Sequence, residues 1–210
     1  MSSFGQIVIL NGAPRSGKSS IASAIQETFA GLWINLGVDH SMRTTPAHLL
    51  PGIGLRPGGE RPDLEPIVVQ LYAALYASIA AHSRLGINVV VDVGHHDAYS
   101  QPLGILPACA QRLRGLPVLF VGVRCPLEVI MQRRLATGYN SDAVTEPPPP
   151  VHLWQEAVHA PGVYDLEVDT SQLSAHACAE RICQRLIGSP PAAFAHLATP
   201  AHTFSHGFAR

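Results

Sequence analysis

One lysine occurs in this chain, and the residues around it are those that bind phosphate. Gly12-Ala13-Pro14-Arg15-Ser16-Gly17-Lys18-Ser19 fits the spacing G-x-x-x-x-G-K-[ST]. The rest of the 14 Lys+Arg residues are arginines. In such a loop, consecutive backbone N–H groups and a helix N-terminus hold phosphate oxygens. Lys18 is then expected to reach the β- and γ-phosphates, and the Ser19 hydroxyl to ligate Mg²⁺. Contacts to a nucleotide such as ATP are expected from Gly12, Ala13, Pro14, Arg15, Ser16, Gly17, Lys18, Ser19 and Ser20.

Phosphoryl transfer also needs a metal site, positive charge over the transferring group and a residue that orients the nucleophile. Asp39 stands 21 residues after Lys18, and two readings of it are open. It takes the proton of an attacking hydroxyl, or it caps a helix beginning near Ser41. Asp92 follows three valines and suits a metal-bound water, or a hydrogen bond at a strand end. Arg133 and Arg134 precede Thr137-Gly138-Tyr139, from where an arginine could neutralise developing charge. The alternative is a solvated helix face. His95-His96-Asp97 has ligand-like residue types but lacks a second half. Cys109, Cys125, Cys178 and Cys183 form no C-x-x-C pair, so free thiols are expected rather than a metal or redox site.

The pattern along the chain supplies elements to position these groups. Apolar runs at 7–10, 87–93, 117–123 and 166–170 read as strands. A shorter strand is expected at 32–38, ending in Asp39. Helices are expected at 20–26, 67–84, 101–114, 126–136, 152–159 and 174–187. Pro66 suits the start of the second helix and Gly86 its stop. Strands alternating with helices predict a parallel sheet covered on both faces. Ligands of such sheets bind beyond the carboxyl ends of the strands, which brings residues 12–19, Asp39 and Asp92 to one edge. Residues 40–65 are too long for an idle connection and are expected to face substrate. Their apolar members Met42, Leu49, Leu50, Ile53 and Leu55 are expected to line that site, with Arg43, Arg56 and Arg61 solvated. From Gly188 a Pro-, Ala- and His-rich tail follows, expected to be mobile and without a clear role.

A chain of 210 residues suits one domain with a small lid, and 47% hydrophobic against 14% charged residues excludes a disordered chain. A formal net charge of -1 carries no broad nucleic-acid footprint. No long uninterrupted apolar stretch predicts a membrane span, and no signal region precedes the first strand, so a cytoplasmic location is expected.

Five segments occur in an order that resembles the chloramphenicol phosphotransferase family of P-loop kinases. They are Ile9-Leu10-Asn11-Gly12 with Ser16-Gly17-Lys18-Ser19, Leu36-Gly37-Val38-Asp39, Val90-Val91-Asp92, Val121-Gly122-Val123-Arg124-Cys125, and the stretch from Tyr164 to Ser171. The resemblance implies a nucleoside-kinase-like three-layer α/β sandwich over residues 1–187, with a lid near 133–150. It implies ATP as donor, Mg²⁺ as cofactor and a small-molecule hydroxyl as acceptor, an antibiotic such as chloramphenicol being one such molecule. Asp39 matches the family's base and Arg133 a lid arginine. The lid departs from the family, with Gly138-Tyr139-Asn140 in place of Gly-Asp-Arg and a run of four prolines, Pro147 to Pro150. Arg134 is a candidate for the missing arginine. A kinase for a nucleoside, sugar or adenylylsulfate, and a nucleotide switch without turnover, are the alternative functions. Neither composition nor motif sets the oligomeric state.

Overall fold

A computed structural model of the chain describes residues 4–137 and 149–199. In it a parallel five-stranded sheet has the order β2-β3-β1-β4-β5. The strands are β1 (Ile7–Asn11), β2 (Trp33–Asn35), β3 (Asn88–Val93), β4 (Val118–Arg124) and β5 (Leu166–Asp169). The helices are α1 (Lys18–Thr28), α2 (Val38–Arg43), α3 (Glu65–Arg84), α4 (Ile105–Arg112), α5 (Leu127–Ala136), α6 (Pro149–Ala157), α7 (Ala175–Ile187) and α8 (Ala193–Leu197).

Side chains of a strand alternate between the two faces of a sheet, and here both faces are apolar. Ile7, Ile9, Val89, Val91 and Phe120 pack with Val68, Tyr72, Tyr76 and Ile79 of α3 and with Cys109 and Ala110 of α4. Val8, Leu10, Val90, Leu119 and Val121 face Ile21 and Ile25 of α1 and Cys178 and Ile182 of α7. This is the three-layer arrangement that the alternation of strands and helices predicts. No helix among the described residues is long and apolar enough to cross a membrane.

Three sequence expectations are corrected. The second strand ends at Asn35, and Asp39 lies in the first turn of α2. The chain makes one further sheet bond, Leu36 N–H to Val90 O at 3.0 Å, and then turns away at Gly37. The fourth helix begins only at Ile105, because Pro102 interrupts the run and Gly104 adopts φ 62. The C-terminal tail is packed in part: Phe194 of α8 is buried, edge-on to Phe120 at 5.0 Å and stacked on Tyr76 at 6.3 Å. Its apolar ring supplies the burial that anchors an otherwise Pro- and Ala-rich segment.

Candidate active site

The phosphate loop leaves β1 at Asn11 and enters α1 at Lys18. Its glycines are required by close approach and by backbone angle. A Cβ on Gly12 would stand 2.5 Å from Val123 O and 2.9 Å from Ser16 Oγ, and Gly17 has φ 93. Gly17 precedes the helix without a side chain to cap it, so the first N–H groups of α1 stay available to an anion. The Ser16 hydroxyl is buried and has no hydrogen-bond partner among the described residues. A phosphate oxygen would supply that partner, so the cradle fits a nucleotide.

Lys18 Nζ donates to Ala13 O at 2.8 Å. Burial lowers its pKa from 10.5 to about 8, opposed by the negative charges of Asp92 and Asp39. Those carboxylates therefore lie within electrostatic reach of the ammonium. Ser19 Oγ donates to Asp92 Oδ2 at 2.7 Å. A hydroxyl and a carboxylate side by side are the donor set of a Mg²⁺ site that otherwise uses water and phosphate oxygens. Among the described residues no group of three or more His, Cys, Asp or Glu could hold a metal ion. Gly37 makes room for Asp92: a Cβ there would fall 1.5 Å from Asp92 Oδ1.

Asp39 is exposed, in the first turn of α2, and borders a shallow depression of about 540 Å³ with Met42, Arg43, Leu50 and Pro51. Gly37, not Asp39, occupies the helix cap. The expected apolar lining is only partly present. Ile53 and Leu55 are 2% and 3% exposed and belong to the core against α3, whereas Met42 and Leu50 border the depression. Arg56 and Arg61 are in exposed ion pairs with Glu60 and Asp63, both at 2.7 Å.

Arg133 is held against the backbone of the phosphate loop. Its Nη1 donates to Arg15 O at 3.2 Å and Thr170 Oγ1 at 3.1 Å, and its Nη2 to Thr170 O at 2.8 Å. Thr170 Oγ1 in turn donates to Ser16 O at 2.7 Å. Arg133 and Thr170 thus tie the loop to the end of β5. Arg15 Nη1 donates to Thr137 Oγ1 beyond α5. Arg134 lies in the last turn of α5. The departure at Gly138-Tyr139-Asn140 and Pro147 lies outside the described residues. Ser20 is exposed in the first turn of α1.

Other polar residues join this edge without a motif to announce them. Asn11, wholly buried at the end of an apolar strand, donates to Val158 O and Tyr164 OH, each at 2.9 Å. It accepts from His95 N–H at 2.7 Å. His159 Nδ1 is 2.8 Å from Tyr164 OH, and His95 Nε2 is 2.7 Å from Tyr76 OH. Burial first, then the neighbouring His96, pushes His95 down to about 3, so its ring is neutral. Besides His95 of the His95-His96-Asp97 cluster, the sequence signal for this network was an amide closing an otherwise apolar run.

The profile of the chloramphenicol phosphotransferase-like protein family matches residues 5–187. The chain belongs to that family. It is a phosphotransferase on the P-loop kinase fold. A Mycobacterium tuberculosis protein named as a candidate O-phosphotransferase is 26% identical over 92% of this chain and 88% of its own length. The M. tuberculosis APS kinase CysC, solved with AMPPNP and APS, superposes with TM-score 0.63 at 17% identity, over 89% of this chain and 99% of its own. Shikimate kinase from Acinetobacter baumannii, solved with shikimate, gives TM-score 0.56 at 13% identity over 87% and 93%. The Deinococcus radiodurans tunicamycin resistance protein gives 0.58 at 18% over 89% and 98%. These three share the fold with this family member.

Proposed function

We propose that the chain transfers the γ-phosphoryl group of ATP, with Mg²⁺, to the hydroxyl of a small uncharged or weakly charged alcohol. The observation that carries this reading is the convergence of Lys18, the Ser19–Asp92 pair and Asp39 beside a phosphate cradle whose Ser16 hydroxyl lacks a partner. Backbone N–H groups from Gly12 to Ser19 hold the phosphates, and Lys18 exchanges the Ala13 carbonyl for their oxygens. Ser19 and Asp92 would hold Mg²⁺, which when bound would neutralise charge on the phosphates. Asp39 takes the proton of the acceptor hydroxyl as its oxygen bonds to phosphorus and the bond to ADP breaks. Arg133 keeps the loop in place and adds positive charge beneath Gly17, 3.5 Å from where a Cβ would stand there.

Arg56 and Arg61 are held by Glu60 and Asp63, which leaves Arg43 alone of the three loop arginines at the depression, where a charged acceptor's phosphate would favour several converging cations. A neutral acceptor follows, and an antibiotic such as chloramphenicol belongs first on the test panel. Purified chain, ATP and MgCl₂ are incubated with neutral alcohols, sugars and nucleoside monophosphates, and ADP release and ³¹P spectra are followed. Phosphorylation of a neutral alcohol is the expected result. Turnover of a nucleoside monophosphate alone would overturn the acceptor class, and turnover of nothing would overturn the reading.

A further inference from the structure

His96 lies four residues beyond Asp92, past the carboxyl end of β3, and is 4% exposed. Its Nε2 is 3.0 Å from Leu55 O. A carbonyl oxygen only accepts, so Nε2 carries the proton. In the neutral ring Nδ1 is then a lone-pair acceptor, and burial, the largest influence on this imidazole, favours the neutral form. Nδ1 is buried and has no partner among the described residues. Buried polar atoms of this kind are rare, and an absent ligand is one explanation for them.

The surroundings of His96 point to the phosphate edge. The Trp154 ring stands edge-on to the imidazole at 5.0 Å, and Tyr99 is 4.3 Å away. Trp154 also covers Gly94: a Cβ there would meet Trp154 Cζ3 at 2.8 Å and Gly12 O at 3.4 Å. His96 therefore sits between the Leu55 segment and helix α6, and Trp154 on that helix also packs on Gly94, which adjoins the first residue of the phosphate loop. His95 differs, although its Nδ1 also lacks a partner. Its ring is stacked on Tyr72 at 4.6 Å within the core, and its Nε2 is engaged by Tyr76. Of the two imidazoles, His96 is the one joined to the 40–65 segment, at Leu55, and the preceding Gly54 lies against Met42: a Cβ there would stand 2.7 Å from the Met42 sulfur.

We propose that His96 is a specificity-determining residue of the acceptor site, its Nδ1 accepting a hydrogen bond from a hydroxyl or amide N–H of the substrate other than the hydroxyl that reacts. The inference rests on the function proposed above and adds the substrate class: a neutral molecule with a second hydrogen-bond donor and an apolar or aromatic body that fits against Trp154 and Tyr99.

The test uses His96→Gln. A glutamine amide N–H can still donate to Leu55 O, and its one acceptor, Oε1, stands one bond farther from the backbone than Nδ1, away from the position Nδ1 holds. The probe is the neutral alcohol that the wild-type protein phosphorylates fastest in the panel above. The expected result is an acceptor KM raised at least about tenfold with the KM for ATP unchanged, the size of effect that follows from leaving a buried polar group unpaired. A derivative of the same alcohol with its second donor methylated should lose affinity for wild type and not for the variant. Equal acceptor KM values in wild type and His96→Gln would overturn the inference and leave the proposed function standing. A panel on which the wild type has no activity would remove both. If His96→Gln does not fold, ¹⁵N-histidine spectra of the wild type decide: the Nδ1 resonance must move when the alcohol saturates the protein, and an unmoved resonance overturns the inference.

Discussion

Ser19 Oγ and Asp92 Oδ2, 73 positions apart in sequence, are joined by a 2.7 Å hydrogen bond at the mouth of the phosphate loop. One comes from the first turn of α1 and the other from the penultimate position of β3. Parallel pairing of β1 with β3, with Leu10 opposite Asp92, sets the two side by side. Gly37 guards the other side of the same carboxylate.

That packing yields the first prediction. Gly37→Ala would force its Cβ to within 1.5 Å of Asp92 Oδ1, so the carboxylate must leave Ser19. Transfer should slow at least about tenfold, a barrier increase of about 1.4 kcal/mol, and half-saturation should need more magnesium. Magnesium titrations of the steady-state rate check this. A Gly37→Ala protein with the wild-type rate and magnesium requirement would remove Asp92 from the metal site.

Lys18 yields a prediction with a sign. Burial holds the free ammonium near a pKa of about 8, and phosphates beside it would raise that value. Nucleotide binding should therefore take up a proton above pH 8. As pH rises through 8 the free protein loses the proton that binding needs, so ADP affinity should fall with pH and level off below it. Calorimetry of ADP binding at about pH 8.5 in buffers of different ionisation heat measures the uptake. Lys18→Ala should abolish the uptake and phosphotransfer while remaining folded; near-normal turnover by that variant would refute the assignment.

Asp39, in the first turn of α2, borders the depression. Asp39→Asn should keep nucleotide affinity and lose about 10²–10⁴-fold in transfer rate, the usual cost of removing a general base. A collapse of nucleotide affinity at unchanged kcat would mark Asp39 as a binding residue instead.

The tail offers a stability test. Phe194 is 5% exposed between Phe120 and Tyr76. Phe194→Ala should destabilise the fold by about 3 kcal/mol or more, as large-to-small changes in cores do. Chemical denaturation measures it. A loss below about 0.5 kcal/mol would mean that α8 is not part of the core in solution.

The phosphate loop, the parallel sheet and the order of the five strands with six of the helices were legible in the chain itself, whereas α2 and α8 were not. Motif spacing, continuous apolar runs, helical periodicity and the placing of Pro66 and Gly86 are local properties, and local backbone physics turns them into elements. Lys18, Ser19 and Asp92 were named by that reading because a strand followed by a loop and helix leaves them a single edge. Tertiary structure alone decided the rest. It ended β2 at Asn35, with one further bond from Leu36 N–H to Val90 O before the chain turns into α2 at Val38. It committed Arg133 to the carbonyls of Arg15 and Thr170, placed Ile53 and Leu55 in the core, and docked Phe194 against Phe120. Such partners stand tens to more than a hundred positions away in sequence. No local period encodes them, because close packing of side chains in three dimensions selects which distant groups meet.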